Sequence, residues 1–147
     1  MKLNFFLLVL VLAMAYSCKM QTRSPIEGAW DMIYVHSVSG DTVQNWPNDS
    51  TVGTQMKMWS KGHFAFVGQD KMNDTIITNF YGGGAYKLDG NRYEEDVKYN
   101  FNTYYIGKNV KMLLEIINDT LIQTYPVDDN GKIDSSSYAV EKYVRID

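Results

Sequence analysis

The chain has 147 residues, with 14 basic and 17 acidic side chains and a formal net charge of −3. This acidic balance excludes the clustered Lys and Arg that a phosphate backbone demands, so no nucleic-acid partner is expected. A single cysteine excludes a disulfide framework within the chain and a cysteine-based zinc site, so stability must come from a packed core. Eleven tyrosines, six phenylalanines and three tryptophans supply that core and favour half-buried pleated surfaces and pocket walls.

Residues 1–17 contain one lysine, an uncharged apolar run from Phe5 to Tyr16, and the small residues Ala15 and Ser17 just before Cys18. This is the pattern of a secretory signal peptide ending at a lipobox-like site, and it predicts a mature chain that begins at a lipidated Cys18. The run falls short of the about 20 apolar residues that a spanning helix needs. A plain signal peptide with an incidental cysteine is the alternative. Removing the leader takes Lys2 with it and leaves 13 basic against 17 acidic side chains. With Cys18 used for lipid, no thiol remains for nucleophilic catalysis or metal binding. Lys19 to Pro25 then reads as a polar tether, so residues 18–25 join the anchor to one domain over 26–147, a length too short for two ordinary domains.

From Ile26 onward the pattern has period two. Strands are predicted near 27–38, 51–60, 63–69, 75–81, 84–88, 91–100, 109–117, 120–127 and 137–146. Ser39-Gly40-Asp41, Lys61-Gly62, Asp89-Gly90-Asn91, Asn118-Asp119 and Asp128-Asp129-Asn130-Gly131 separate them and supply residues that tolerate positive φ or form Asx-turns. The expectation is an all-β, antiparallel up-and-down barrel of about eight to ten strands with no amphipathic helix, a sandwich being the alternative. Gly82-Gly83-Gly84 lacks the spacing and the strand-to-helix context of a nucleotide loop, and reads as a sharp bend or bulge.

Gly28-Ala29-Trp30 opens the first strand, and Glu141-Lys142-Tyr143-Val144-Arg145 closes the last. This resembles the lipocalin and calycin pattern, in which a Gly-x-Trp at the start of the barrel packs under an arginine from near its end. Gly62-His63-Phe64, Gly83-Gly84-Ala85-Tyr86 and Tyr93-Glu94-Glu95 are similar to segments of the small lipocalin-like domains in lipoproteins of Gram-negative bacteria. Together these segments span most of 26–147. The resemblance implies a calyx-shaped barrel, a lipid-anchored place in the cell envelope on a periplasmic or surface face, and a general expectation of small-molecule binding. The cysteines of secreted animal lipocalins are absent and their second and third motifs are unmatched, so retinoid- or pheromone-type ligands do not carry over.

Parity predicts which side chains point inward. Trp30, Met32 and Tyr34 share one face of the first strand; Met56 with Met58, Phe64 with Phe66, and Val110, Met112, Leu114 and Ile116 are expected on the same interior. After Asn91 the more apolar parity is Tyr93, Glu95, Val97 and Tyr99, which places Glu95 inside. On the last strand Arg145 shares parity with Tyr143 and Glu141, while Tyr138, Val140, Val144 and Ile146 lie opposite, and the inward face stays open. The candidate ligand-binding set is therefore Trp30, Tyr34, Met58, Phe64, Phe66, Tyr86, Tyr93, Glu95, Met112, Tyr143 and Arg145. A structural Glu–Arg ion pair closing the barrel end explains the charged members without a ligand, and alternating methionines read first as core filler.

His36 and His63 are the only histidines and belong to no metal motif, and no histidine follows to suit a haem-binding barrel. No Gly-x-Ser-x-Gly occurs, and Glu94 and Glu95 point to opposite strand faces, so no enzyme activity, cofactor or metal is expected. Asn73-Asp74-Thr75 and Asn118-Asp119-Thr120 fit glycosylation patterns, but a turn followed by a β-branched strand start produces the same strings. The expected partners are a small apolar or amphipathic molecule and, through the N-terminal lipid, a membrane. The alternative is a ligand-free interaction or envelope-accessory module with a filled barrel, meeting its partner through Gln44 to Pro47 or Asn100 to Tyr105.

Overall fold

Alternating side chains in this sequence form nine antiparallel strands, seen in a computed structural model that describes residues 24–48 and 50–147. The leader 1–17, Cys18 and the tether as far as Arg23 lie outside the described residues. The strands are β1 (Gly28–Ser39), β2 (Thr42–Trp46), β3 (Val52–Ser60), β4 (His63–Met72), β5 (Thr75–Asp89), β6 (Arg92–Asn100), β7 (Asn109–Ile117), β8 (Thr120–Tyr125) and β9 (Ser137–Arg145). A single 3₁₀ turn, Thr103–Tyr105, lies between β6 and β7. Each strand from β3 to β9 pairs with its neighbour in sequence, β1 pairs with β3, and β9 returns to β1. Registers from Trp30↔Arg145 to Ser39↔Ser137 close the ring. The result is an eight-stranded barrel with β2 added outside it along the second half of β1. This matches the expected up-and-down barrel and rules out the sandwich.

The Asn-Asp pairs do the work of turns. Asn73 and Asp74, joining β4 to β5, have φ of 49° and 63°, and Asn118 and Asp119, joining β7 to β8, have φ of 46° and 62°. Two successive positive-φ residues match the right-handed twist of a two-residue hairpin, and Asn and Asp tolerate that conformation best after glycine.

Two expected strands, 75–81 and 84–88, are one continuous strand, with the triple glycine inside it. Here Gly84 pairs with Val97 and Gly83 with Tyr99, so Lys98 is an extra residue on β6 and the pair forms a bulge. A Cβ on Gly84 would collide with the backbone carbonyl of Asp96, which is why the site takes glycine. At Gly82 the space is filled from across the ladder by the ring of Phe66, its register partner. β2, by contrast, was not anticipated at all.

Bulges also reset parity. Between Met32 and Tyr34 the β1–β9 register skips Ile33, so Trp30 and Met32 point inward while Tyr34 turns out beside Lys142. The Lys142 ammonium lies 5.3 Å from the Tyr34 ring centroid, and the Tyr34 hydroxyl donates to Asn45 Oδ1 at 3.2 Å. The Lys98 bulge likewise sends Tyr99 into solvent, 71% exposed, although Tyr93, Glu95 and Val97 are buried as expected. On β3 the expected face is reversed: Lys57 and Trp59 are buried and Met58 is exposed. Ile116 is exposed too, whereas Met112 and Leu114 are buried.

The core gathers at one end of the barrel. Ile26, Trp30, Trp59, Phe64, Tyr93, Leu114, Leu121 and Tyr143 are among its buried members. The chain segment before β1 seals this end. The Trp30 indole donates to the Ile26 carbonyl at 2.9 Å, and the Arg145 guanidinium lies 4.2 Å from the Trp30 ring centroid. Arg145 also donates to the carbonyls of Glu27 at 2.9 Å and Pro25 at 2.8 Å. The contact between Gly-x-Trp and the late arginine that the resemblance implied is therefore present. The expected Glu–Arg pair is not, because Arg145 faces Asp147 and backbone carbonyls while Glu95 is paired elsewhere.

Candidate functional site

At the other end, between the β6–β7 and β8–β9 connections, the barrel opens into a cavity of about 390 Å³. Its lip carries Asn100 from the end of β6, Phe101, Asn102 and Tyr105 from the β6–β7 connection, and Tyr125 from the end of β8. Phe66 from β4, Phe80 from β5, Val97 from β6 and Val110 from β7 form apolar wall. The polar lining comes from Gln55 and Lys57 on β3, Glu95 on β6, Gln123 on β8, and Glu141 and Tyr143 on β9. The inward parity of β9 is thus that of Glu141 and Tyr143.

Two hydrogen-bonded groups organise these polar side chains. In the first, Trp59 Nε1 donates to the Tyr93 hydroxyl at 2.7 Å, which donates to Glu95 Oε1 at 2.9 Å. Lys57 Nζ lies 2.7 Å from the same carboxylate oxygen and donates to Gln123 Oε1 at 3.2 Å. The amide of Gln123 in turn donates to the Met112 sulfur. Rings of Trp59 and Phe64 stand 5.1 Å and 5.3 Å from the ammonium, a distance at which their faces attract a cation. Lysine is seldom buried without such partners, so this group explains why β3 turns Lys57 inward.

In the second group, Gln55 Nε2 donates to the Tyr143 hydroxyl at 2.8 Å, and that hydroxyl donates to Glu141 Oε2 at 2.6 Å. The Tyr125 hydroxyl donates to Glu141 Oε1 at 2.6 Å. Burial, reinforced by the Glu141 charge, pushes the Tyr125 and Tyr143 hydroxyls well above the ordinary tyrosine value. Burial and then the Glu95 charge do the same to Tyr93. All three are therefore neutral donors at physiological pH. Glu141 has no basic side chain within ion-pair distance among the described residues.

Of the candidate binding residues, the fold brings Phe66, Glu95, Met112 and Tyr143 to the cavity. Trp30, Phe64, Tyr86 and Tyr93 pack in or against the core near the sealed end. Arg145 clamps that end, while Tyr34 and Met58 face outward. Cys18 lies outside the described residues. The sequence-based set missed Gln55, Lys57, Phe80, Glu141, Gln123 and Tyr125. The signal for the first two was the parity they share with Trp59, and for the last two the parity they share with Leu121. Among the described residues no three His, Cys, Asp or Glu side chains converge as a metal site would require.

A second groove of about 640 Å³ lies where β1 leaves β3 and takes β2 as its neighbour. Met32, Val35, Trp46 and Asp70 line it, and Phe80 belongs to both spaces. It is the larger volume, but its walls hold none of the buried charges.

No protein-family model and no curated protein matches the sequence. Fold and site together define the class: a closed antiparallel β-barrel, consistent with a lipocalin-like fold, with an aromatic-walled interior cavity and a polar floor.

Proposed function

We propose that this chain is a lipid-anchored, lipocalin-like binding protein of the bacterial cell envelope that holds a small, partly apolar molecule in its barrel and carries out no reaction on it. The observation that carries this reading is the cavity. Its volume and its combination of apolar walls with a few placed polar atoms are those of a small-ligand site, and an eight-stranded barrel has room for one such ligand. The leader pattern before Cys18 supports the anchor.

Native mass spectrometry of the protein purified from its own host tests the binding reading. A co-purifying small molecule that is lost in Val110→Trp, which fills the cavity, is the expected result. An empty protein that also fails to take up any apolar probe would overturn it. Replacing Cys18 with Ala tests the anchor: the domain should leave the membrane fraction, and continued retention would remove the lipoprotein reading.

A second reading has its own observation. Tyr104 at the barrel's mouth is 66% exposed and stacks edge-on against Tyr105, and aromatics of this kind dominate protein interfaces. On that reading the mouth contacts a protein partner. The open cavity favours the first.

A further inference from the structure

The cavity's charge points to the kind of molecule it takes. Three charged side chains line the interior: Lys57, Glu95 and Glu141. Lys57 and Glu95 neutralise each other at 2.7 Å, with Gln123 and Tyr93 completing their hydrogen bonds. Glu141 is left over. Its two partners, Tyr125 and Tyr143, are neutral hydroxyls that solvate the carboxylate without cancelling its charge. A carboxylate offers about four lone-pair sites, and two tyrosines use one on each oxygen, so acceptor capacity remains. Around this negative centre the cavity presents the rings of Phe66, Phe80, Phe101 and Tyr105. Aromatic faces attract cations.

We propose that the ligand is an organic cation, an apolar or aromatic body bearing a protonated amine or quaternary ammonium group that sits against Glu141. This rests on the reading of the barrel as a small-molecule binder and names the ligand class. An amphiphile with an anionic head group, such as a fatty acid, would find Lys57, the one ammonium lining the cavity among the described residues, already committed to Glu95 and would add a second uncompensated negative charge. A neutral ligand of the same shape would fill the apolar space and leave Glu141 unpaired.

Three probes with a common phenyl body separate these cases on protein expressed from the full sequence, by titration calorimetry: phenethylamine, phenethyl alcohol and phenylpropionate. The amine should bind at least about tenfold more tightly than the alcohol, and the anion most weakly. Glu141→Gln should remove about tenfold of the amine's affinity and leave the alcohol's unchanged. If the alcohol or the anion binds as well as the amine, or if Glu141→Gln preserves the preference, the cation assignment is overturned while the binding reading stands. Failure of all three probes to bind overturns the cation assignment, while the binding reading is decided separately by the native mass spectrometry above. Should Glu141→Gln not fold, the wild-type series decides alone.

Discussion

Lys57 Nζ and Glu95 Oε1 meet at 2.7 Å inside the barrel, with side-chain exposures of only 4% and 6%. Such a pair is costly to desolvate and more costly to break, because removing one partner strands a buried charge. Lys57→Met or Glu95→Leu should therefore each destabilise the domain by about 3–5 kcal/mol in urea denaturation. The double variant Lys57→Met/Glu95→Leu should recover much of that loss. If the double variant proves as unstable as the sum of the single ones, the two side chains are not coupled and the interior has been misread.

Alkaline pH should unfold the barrel through its buried tyrosines. In Tyr93, Tyr125 and Tyr143 the folded state holds the phenolic proton more tightly than the unfolded chain does, chiefly through burial. Above the unfolded value near 10.0 the unfolded state binds fewer protons, so stability falls as pH rises. The stabilisation is complete below that value and lost progressively above it. Tyrosinate absorbance should show the exposed tyrosines, such as Tyr99 and Tyr104, ionising first. The three buried hydroxyls should ionise only as circular dichroism reports unfolding. Smooth ionisation of every tyrosine with the fold intact would contradict the buried network.

Gly84→Ala should be poorly tolerated. The added methyl meets the Asp96 carbonyl, a backbone atom held on both sides by the sheet, so the bulge itself must move. A loss of about 3 kcal/mol is expected by thermal or chemical denaturation. Gly90→Ala, at a hairpin tip with nothing within 4 Å, is the control for space, although its φ of 59° still carries some backbone strain. A Gly84→Ala loss no greater than the control's would show that the close approach is not a constraint.

Arg145→Ala should cost about 2 kcal/mol, because it strips two charge-assisted hydrogen bonds from the carbonyls of Pro25 and Glu27 and uncovers the Trp30 ring. Arg145→Lys should rescue little, since one ammonium cannot reproduce a planar fork that reaches both carbonyls while lying on an indole. Ligand retention should persist in any Arg145→Ala protein that folds, because Arg145 seals the end away from the cavity. Loss of ligand with stability unchanged would instead place Arg145 in the binding site.

Period-two alternation and hairpin residues made the barrel legible, and Glu95, Phe66 and Met112 were placed on the correct face by parity alone. Parity failed wherever a partner strand decided the matter. Nothing in the sequence near Tyr34 marks the extra residue at Ile33, because that bulge exists only in register with β9. Tyr99 was lost in the same way through Lys98 and β5. On β3 the choice between Met58 and Lys57 turned on polarity, and the local pattern favours burying the methionine. Lys57 is buried instead because Glu95 and Gln123 arrive from distant parts of the chain to receive it, beside the nearby rings of Trp59 and Phe64. Parity already grouped Glu141 with Tyr143, but its other partner, Tyr125, becomes visible only when β8 and β9 lie side by side.

The clamp of Arg145 on Pro25 and Glu27 also fixes a direction. The polypeptide enters at the sealed end, so the described chain begins at the end of the barrel opposite its mouth. On the binding reading proposed above, the Tyr104–Tyr105 lip, at the end away from Arg145, is the first surface an incoming molecule meets.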